Sequence, residues 1–401
     1  MAARPLGPPL DAPAEAARSA FSEMDPAIRF LRELVSIDSV NPSLVPGAAG
    51  ESVIAEAIAR EMRAAGLIVE VAEVSPNRPN VVGVVRGRRP GPRLMYCGHM
   101  DTVGVEGMRD PFMPTERDGL LFGRGAQDMK GGVVAMIDAA RTVVATGGLS
   151  AGELIVAAVI DEEHESLGAE ALVSRWRADA AVVTEPTDLA VAVAHKGFEW
   201  VAVTVEGRAA HGSRPSEGRD AILMMGRVLA RLEELNATLQ RGARHPLLGR
   251  PSLHASLIAG GQELSSYPER CTLRMERRTI PGETPRIALQ EVEQILEEVR
   301  KADPGFRAAA QWLFGRQPYE IDARNPLPEL LEASLRRVGR QAERAGVTFW
   351  TDAAILWEAG IPTVIFGPGG AGLHSTEEFV RLDEVIACRD VLVELARAYC
   401  V

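Results

Sequence analysis

Apolar residues recur along this chain with two periods, and the places where each holds decide the layout. Asp25-Pro26 offers a capping side chain and a proline at the first helical position, and Ile28, Leu31, Leu34 and Val35 continue at helical spacing. Residues 51–65 repeat that pattern after a Gly/Pro-containing loop. LIVEVAEV, NVVGVVRG and RLMYCGH then follow as short Val-rich runs, the signature of strands. GGVVAMIDAARTVVATG predicts a helix, ELIVAAVI a strand, EALVSRW a helical piece and AAVVT a further strand. The strands are apolar throughout, as a sheet covered on both faces requires, and helices alternating with them indicate an α/β fold.

The pattern changes near His195-Lys196-Gly197, where FEWVAVTVEG begins a stretch of alternating polar and apolar residues. From there the expected order is strand (198–206), helix (217–240), strand (252–259), strand (270–279), helix (284–302) and strand (306–314), a split βαβ, ferredoxin-like order. The α/β character returns with a helix over 326–345, the strand TVIF and a last helix from Asp383. At 401 residues the chain exceeds the size of about 250–300 residues at which single cores stop growing. The expected architecture is therefore an α/β domain with a mixed, mainly parallel sheet (25–195 and 315–401) and an inserted α+β ferredoxin-like domain (196–314). Residues 1–24, rich in Ala and Pro, are expected to be a flexible extension.

Charge and composition narrow the partners. The formal net charge is -11 and no long basic run offsets it, which argues against nucleic acid. No stretch reaches the roughly 20 apolar residues of a membrane helix, so no membrane partner is expected. The four cysteines, Cys97, Cys271, Cys388 and Cys400, show no CxxC spacing, which fits a reducing, cytoplasmic setting. Cys97, two residues before His99, reads as a buried structural thiol.

The candidate chemistry sits where apolar runs end. LMYCGHMD leads into His99 and Asp101, LIVAAVIDEE into Glu162 and Glu163, AAVVTE into Glu185, and TVIFGPGGAGLH into His374. In open α/β sheets ligands gather at the carboxyl ends of strands. Asp128, in the glycine-rich GRGAQDMKGG ahead of a helix, adds a fifth acidic position. Nitrogen and oxygen donors without thiolates suit zinc, with cobalt or manganese as alternatives. One zinc does not need so many acids, whereas two ions about 3.5–4 Å apart can share a carboxylate, for which Asp128 is the candidate. Glu162 and Glu163 are adjacent and need not do the same work: one can bind metal while the other moves protons. Asp101 is placed to hold the second nitrogen of His99.

HMDTV, GRGAQDMKGG, DEEHESLG, VTEPT, AAHGSRP and GLHSTEEF together resemble the acetylornithine deacetylase, succinyl-diaminopimelate desuccinylase, aminoacylase and carboxypeptidase family of metallopeptidases, family M20. The resemblance spans about Asp25 to the end. It implies a zinc-hydrolase catalytic domain with His99 and Glu185 on one zinc, Glu163 and His374 on the other, Asp128 bridging, Glu162 as general base and Asp101 orienting His99. It also implies that the inserted domain acts as a lid and mediates a homodimer, that His211 serves the oxyanion region of the partner's site, and that Arg278 binds the carboxylate of a small amino-acid-derived substrate. Many relatives have asparagine where this chain has Ser265, so substrate contacts do not carry across directly. Gly370, in GPGGAGLH, is a candidate for close backbone approach to substrate, a role that shares its glycine with ordinary turn needs.

Alone, a His-x-Asp after a strand is more often a satisfied structural pair, and only the set as a whole points to metal. GRGAQDMKGG is not a phosphate loop, because it lacks GxxxxGK[ST]. His211 and Arg278 each have a plain structural reading as a loop histidine and a solvated strand charge. The expected activity is a di-zinc amidohydrolase that deacylates an N-acyl amino acid. A dipeptidase or carboxypeptidase of the same family is the alternative. A metal-dependent binding protein that has lost catalysis is opposed by Glu162 and the complete ligand set.

Overall fold

The computed structural model describes residues 25–401, and the extension expected over 1–24 lies outside the described residues. Asp25 accepts a hydrogen bond from the Ala27 amide and caps α1 (Pro26–Ser36), whose apolar face of Ile28, Leu31, Leu34 and Val35 is buried. α2 (Ser52–Ala64), β1 (Ile68–Ser75), β2 (Arg78–Arg86) and β3 (Arg93–His99) follow. β4 (Thr115–Arg117) and β5 (Leu120–Phe122) form a hairpin about Asp118 and Gly119, whose φ values of 55° and 75° define the mirror-image turn that Asp-Gly favours. Sequence reasoning passed over this hairpin although the dipeptide signals it. Next come α3 (Gly131–Ala145), β6 (Glu153–Val159), α4 (Leu167–Arg175), β7 (Ala180–Val183) and β8 (Val191–His195). Then follow β9 (Gly197–Glu206), α5 (Ala221–Leu239), β10 (Ser252–Gly260), β11 (Arg270–Thr279), α6 (Ile287–Ala302), β12 (Arg307–Arg316) and β13 (Tyr319–Glu320). The chain closes with α7 (Leu327–Arg337), β14 (Arg344–Val347), α8 (Ala353–Glu358), β15 (Thr363–Ile365), β16 (Gly370–Ala371), β17 (Phe379–Arg381) and α9 (Leu382–Tyr399).

Two compact units divide these elements. One takes the chain as far as Val193, with Ile321–Ala345 and Thr351–Val401; the other takes Ala194–Glu320 and Gly346–Trp350. In the first unit the main sheet runs β1-β2-β6-β3-β7-β15-β8. Its centre, β6 through β15, is parallel, while β1, β2 and β8 add antiparallel flanks. The fold is thus mixed α/β, with the parallel pairing confined to the middle. β3, β6 and β7 are buried almost along their whole length, as their unbroken apolar runs require, whereas β1 lies at the edge and stays half exposed. α3 is buried along nearly every turn. A Cβ on its Gly132 would lie 1.9 Å from the Thr184 carbonyl oxygen, so only glycine lets this helix start against the end of β7. A smaller sheet of order β16-β17-β5-β4 belongs to the same unit.

The second unit is a four-stranded antiparallel sheet, β10-β11-β9-β12, with α5 and α6 packed on one face. Burial alternates along β9 and β11: Val201, Val203, Val205, Leu273 and Met275 face a core shared with Met225, Val228, Val292 and Leu296. One sequence expectation fails here in the first unit. The helix foreseen over 326–345 stops at Arg337, because Gly339 takes φ 76° and the Arg340 amide reaches back to the Leu335 carbonyl at 2.9 Å, a Schellman stop, after which 344–347 pair as β14. Among the described residues no helix is long and apolar enough to cross a membrane.

Candidate metal centre

Because β6, β3 and β7 are parallel neighbours, the segments leaving their carboxyl ends start side by side. His99 is the last residue of β3. Glu162 and Glu163 lie in a turn just past Val159, the end of β6, and Glu185 stands two residues past β7. Asp128 occupies the loop that leads into α3. His374 departs from expectation, since it does not follow β15 directly. β16 intervenes, and the histidine sits in the turn before β17 with φ 56°, exposed over about half of its side chain (54%).

The side chains converge. His99 Nε2 lies 3.1 Å from Asp128 Oδ1 and 3.6 Å from Glu185 Oε1. His374 Nε2 lies 3.3 Å from Asp128 Oδ2 and 3.0 Å from Glu163 Oε2. The two oxygens of Asp128 are therefore divided between two imidazoles, each with a glutamate beside it. Glu162 Oε2 lies 3.9 Å from His99 Nε2, beside the His99–Glu185 pair. Two sets of three residues, His99 with Asp128 and Glu163, and His99 with Glu162 and Glu185, bring their donor atoms within 4.8 Å of one another. The donors are all imidazole nitrogen or carboxylate oxygen, and Glu163 Oε1 is buried with no hydrogen-bond partner among the described residues. A hard or borderline divalent cation suits such a set, and it answers a buried carboxylate oxygen that nothing else satisfies.

Electrostatics point the same way. Burial raises the carboxyls of Glu162 and Glu185 well above the usual range, with neighbouring acids adding to the effect, and raises Glu163 to about 7. Burial alone would lower the His99 imidazole, but Asp101, Asp128, Glu185 and Glu162 hold it well above its ordinary value. His374 is raised to about 10 by its contacts with Asp128 and Glu163. Crowded acids that resist ionising beside imidazoles that retain protons form a site in which protons stand where cations would bind.

Asp101 faces two neighbours. The His99 Nδ1 lies 3.0 Å from the backbone carbonyl of Asp101 and 3.5 Å from its carboxylate. That carboxylate also accepts the amides of Glu162 and Glu163, both at 3.2 Å, and the side-chain amide of Asn41 at 2.8 Å. Sequence reasoning also missed Glu378. Buried in the quoted GLHSTEEF stretch, it accepts the amides of Gly125 (3.0 Å), Gln127 (2.9 Å) and Asp128 (3.1 Å) and Arg124 Nη1 (2.8 Å), while Arg124 Nη2 donates to the Ser375 carbonyl at 2.9 Å. One carboxylate thus ties the loop of Asp128 to the loop of His374. Lys130, wholly buried, donates to the Ile37 carbonyl at 2.9 Å. Cys97 is buried and its thiol is pushed well up by burial.

The other candidate residues stand elsewhere. Gly370 lies in β16, where a Cβ would fall 2.0 Å from the Phe379 carbonyl oxygen, so strand pairing alone demands glycine there. His211 and Arg278 belong to the second unit. His211 is exposed, with Nδ1 2.8 Å from Ser213 Oγ and 3.2 Å from the Ser213 amide nitrogen. Arg278 donates through Nε to Glu276 at 2.6 Å and lies over the Phe198 ring at 5.6 Å, with both Nη atoms lacking a partner among the described residues.

A model of peptidase family M20/M25/M40 matches residues 95–398. The chain belongs to this family. This M20 chain is 32% identical to an acetylornithine deacetylase of Myxococcus xanthus, over 95% of this chain and 99% of the relative. It is 30% identical to the acetylornithine deacetylase of Photorhabdus laumondii, over 94% and 98%. Among solved structures, a tripeptidase from Staphylococcus aureus shares the fold with a TM-score of 0.78 at 21% identity, covering 93% of this chain and 98% of that one. An M20 metallo-carboxypeptidase from Sulfolobus solfataricus does so at 0.76 and 16%, covering 94% and 99%. Membership of M20 with deacetylase relatives makes the protein a hydrolase of amide C–N bonds.

Proposed function

We propose that this M20 hydrolase deacylates an N-acyl amino acid at a site loaded with two zinc ions. The observation that carries the reading is the division of Asp128 between two histidine–glutamate pairs. His99 and Glu185 would hold one ion, Glu163 and His374 the other, and Asp128 both. When bound, the ions supply Lewis acidity and neutralise charge that develops on the carbonyl oxygen. Glu162, to which no ion is assigned, takes a proton from water and returns it to the leaving amine. Asp101 fixes the turn that bears Glu162 and Glu163. Arg278, with Nε held by Glu276, keeps the role expected of it toward the substrate carboxylate, and His211 that toward the oxyanion of the partner's site.

The deacetylase relatives at 30–32% identity favour an acyl amino acid over a peptide. A panel of N-acetyl, N-succinyl and N-formyl amino acids and dipeptides, run with zinc and after chelation, tests the reading. Chelator-sensitive cleavage of acyl amino acids is expected; cleavage of dipeptides alone would turn the assignment to a peptidase. A homodimer through the second unit is supported by its edge strand β10, where Leu257 and Ile258 are 63% and 54% exposed. Light scattering after size exclusion would show a monomer if that is wrong. The four buried, unpaired cysteines fit a cytoplasmic setting.

A further inference from the structure

The turn that carries Glu162 and Glu163 follows a strand but belongs to no regular element, so something else must hold it. Its first residue, Asp161, takes φ 69°, a conformation that aspartate tolerates only with local support. Arg78 Nη2 (2.9 Å), Ser43 Oγ (3.2 Å) and the Glu165 amide (3.3 Å) donate to its carboxylate, and one further donor links it to Asp101. Asn41, fully buried on a segment bridged to Thr102, donates through Nδ2 to Asp101 Oδ2 at 2.8 Å and to Asp161 Oδ1 at 3.1 Å. Its Oδ1 accepts the Ser43 amide at 2.8 Å and Arg78 Nη2 at 3.1 Å. Both donors and both lone pairs of the amide are in use.

The charges around it explain why an amide is needed. Glu51, Asp101 and Asp161 are fully buried carboxylates, and Arg78 is the one cation among them, engaging Glu51 through Nε at 2.7 Å and Asp161 through Nη2 at 2.9 Å. Asp101 receives no hydrogen bond from Arg78. Asn41 is the neutral donor that satisfies Asp101 and Asp161 together, and Asp101 in turn accepts the amides of Glu162 and Glu163. We propose that Asn41 is a positioning residue for the Glu162–Glu163 pair, acting through Asp101 and Asp161, since among the described residues it is the one side chain that donates to both. An aspartate at this position has the same shape but no donor, and adds a fourth carboxylate to three. The inference draws its catalytic meaning from the role given to Glu162 above, but the positioning itself is read without turnover.

The test is hydrogen–deuterium exchange of the full-length protein, comparing wild type with Asn41→Asp and with the milder Asn41→Ser, which keeps one hydroxyl donor. A hydrogen bond to a charged acceptor corresponds to a roughly 10- to 100-fold change in an equilibrium. Exchange in the peptide covering residues 160–167 is therefore expected to quicken about tenfold or more, with β9 to β12 of the second unit unchanged as the internal control. On a cleaved substrate, at saturating metal, kcat should fall by a similar factor with KM held. Unchanged exchange at 160–167, a uniform quickening across the chain, or failure of both variants to fold would each overturn the proposal, since the amide would then serve stability alone. Quicker local exchange with wild-type kcat would uphold Asn41 and count against Glu162 as the base. A wild type silent on every substrate would count against the deacylase reading while the exchange result still decides the role of Asn41.

Discussion

Replacing Glu378 with glutamine keeps the shape and removes the charge, and the structure sets the size of the effect. Oε2 accepts Arg124 Nη1 and the Gly125 amide, and Oε1 accepts the amides of Gln127 and Asp128. Whichever end the new NH2 takes, two donors lose their acceptor, and if it takes the Oε2 end one of them is the buried guanidinium of Arg124 (3% exposed side chain). A buried unsatisfied donor costs about 1–3 kcal/mol, and removing one partner of a buried ion pair about 3–5 kcal/mol. Burial raises the Glu378 carboxyl, so losing the charge recovers part of its desolvation cost. A net loss of roughly 3–5 kcal/mol is expected, about 10 °C in Tm for a unit of this size. With the NH2 at either end the loop that bears Asp128 loses two of its four ties to residue 378, and because Asp128 faces both histidines, affinity should fall at both metal positions and not at one. Differential scanning calorimetry and isothermal titration of chelator-stripped protein read the two effects. A Glu378→Gln protein that melts within 2 °C of wild type and binds both ions unchanged would refute the brace.

Glu162→Gln should retain metal and lose about 10²- to 10⁴-fold in kcat, and near-normal turnover would remove Glu162 from the role of base. His374→Ala should lower the metal stoichiometry seen by elemental analysis; in the parent, metal uptake at pH 8 should release protons, because the metal-free His374 stays protonated up to about pH 10. Titrations in buffers of different ionisation enthalpy would detect that release. Lys130 gives a pH signature: burial lowers its ammonium to about 7 in the folded protein, while the unfolded chain holds its proton to about pH 10. Between those values the unfolded state carries more protons, so this group makes stability rise with pH, by at most about 1.4 kcal/mol per unit, and the contribution is lost as pH falls toward 7. Lys130→Met should abolish that slope in urea unfolding at pH 7, 8 and 9; parallel curves for the two proteins would refute it.

What the sequence made legible follows the range of the forces involved. Periodicity located β3, β6, β7, β9 and β11 to within a residue or two, because burial acts on every position of a strand. The convergence of His99, Asp128, Glu163, Glu185 and His374 was legible too, since each sits near a landmark, a strand end or a glycine loop, and their residue types suit a shared cation. Short pieces such as β4, β5, β16 and β17 bury too few side chains to print a period, so the sheet that carries His374 went unseen.

The braces were hidden for a different reason. Asn41, Arg78, Glu51, Asp161, Arg124 and Glu378 are polar residues in loops or at element ends, where solvation is the ordinary expectation, and all are buried. Their partners are distant in sequence: Asn41 meets Asp161 across 120 positions and Arg124 meets Glu378 across 254. No local pattern encodes such a contact. The division is physically sensible, because a site that gathers four carboxylates and two imidazoles repels itself and cannot be held by the ligands' own attraction. The holding is done one layer out, by hydrogen-bonded side chains that are not candidate ligands, and there the geometry of Glu162 relative to His99 and Glu185 is set. Substitutions in that layer should therefore alter turnover and metal affinity without changing a single candidate ligand.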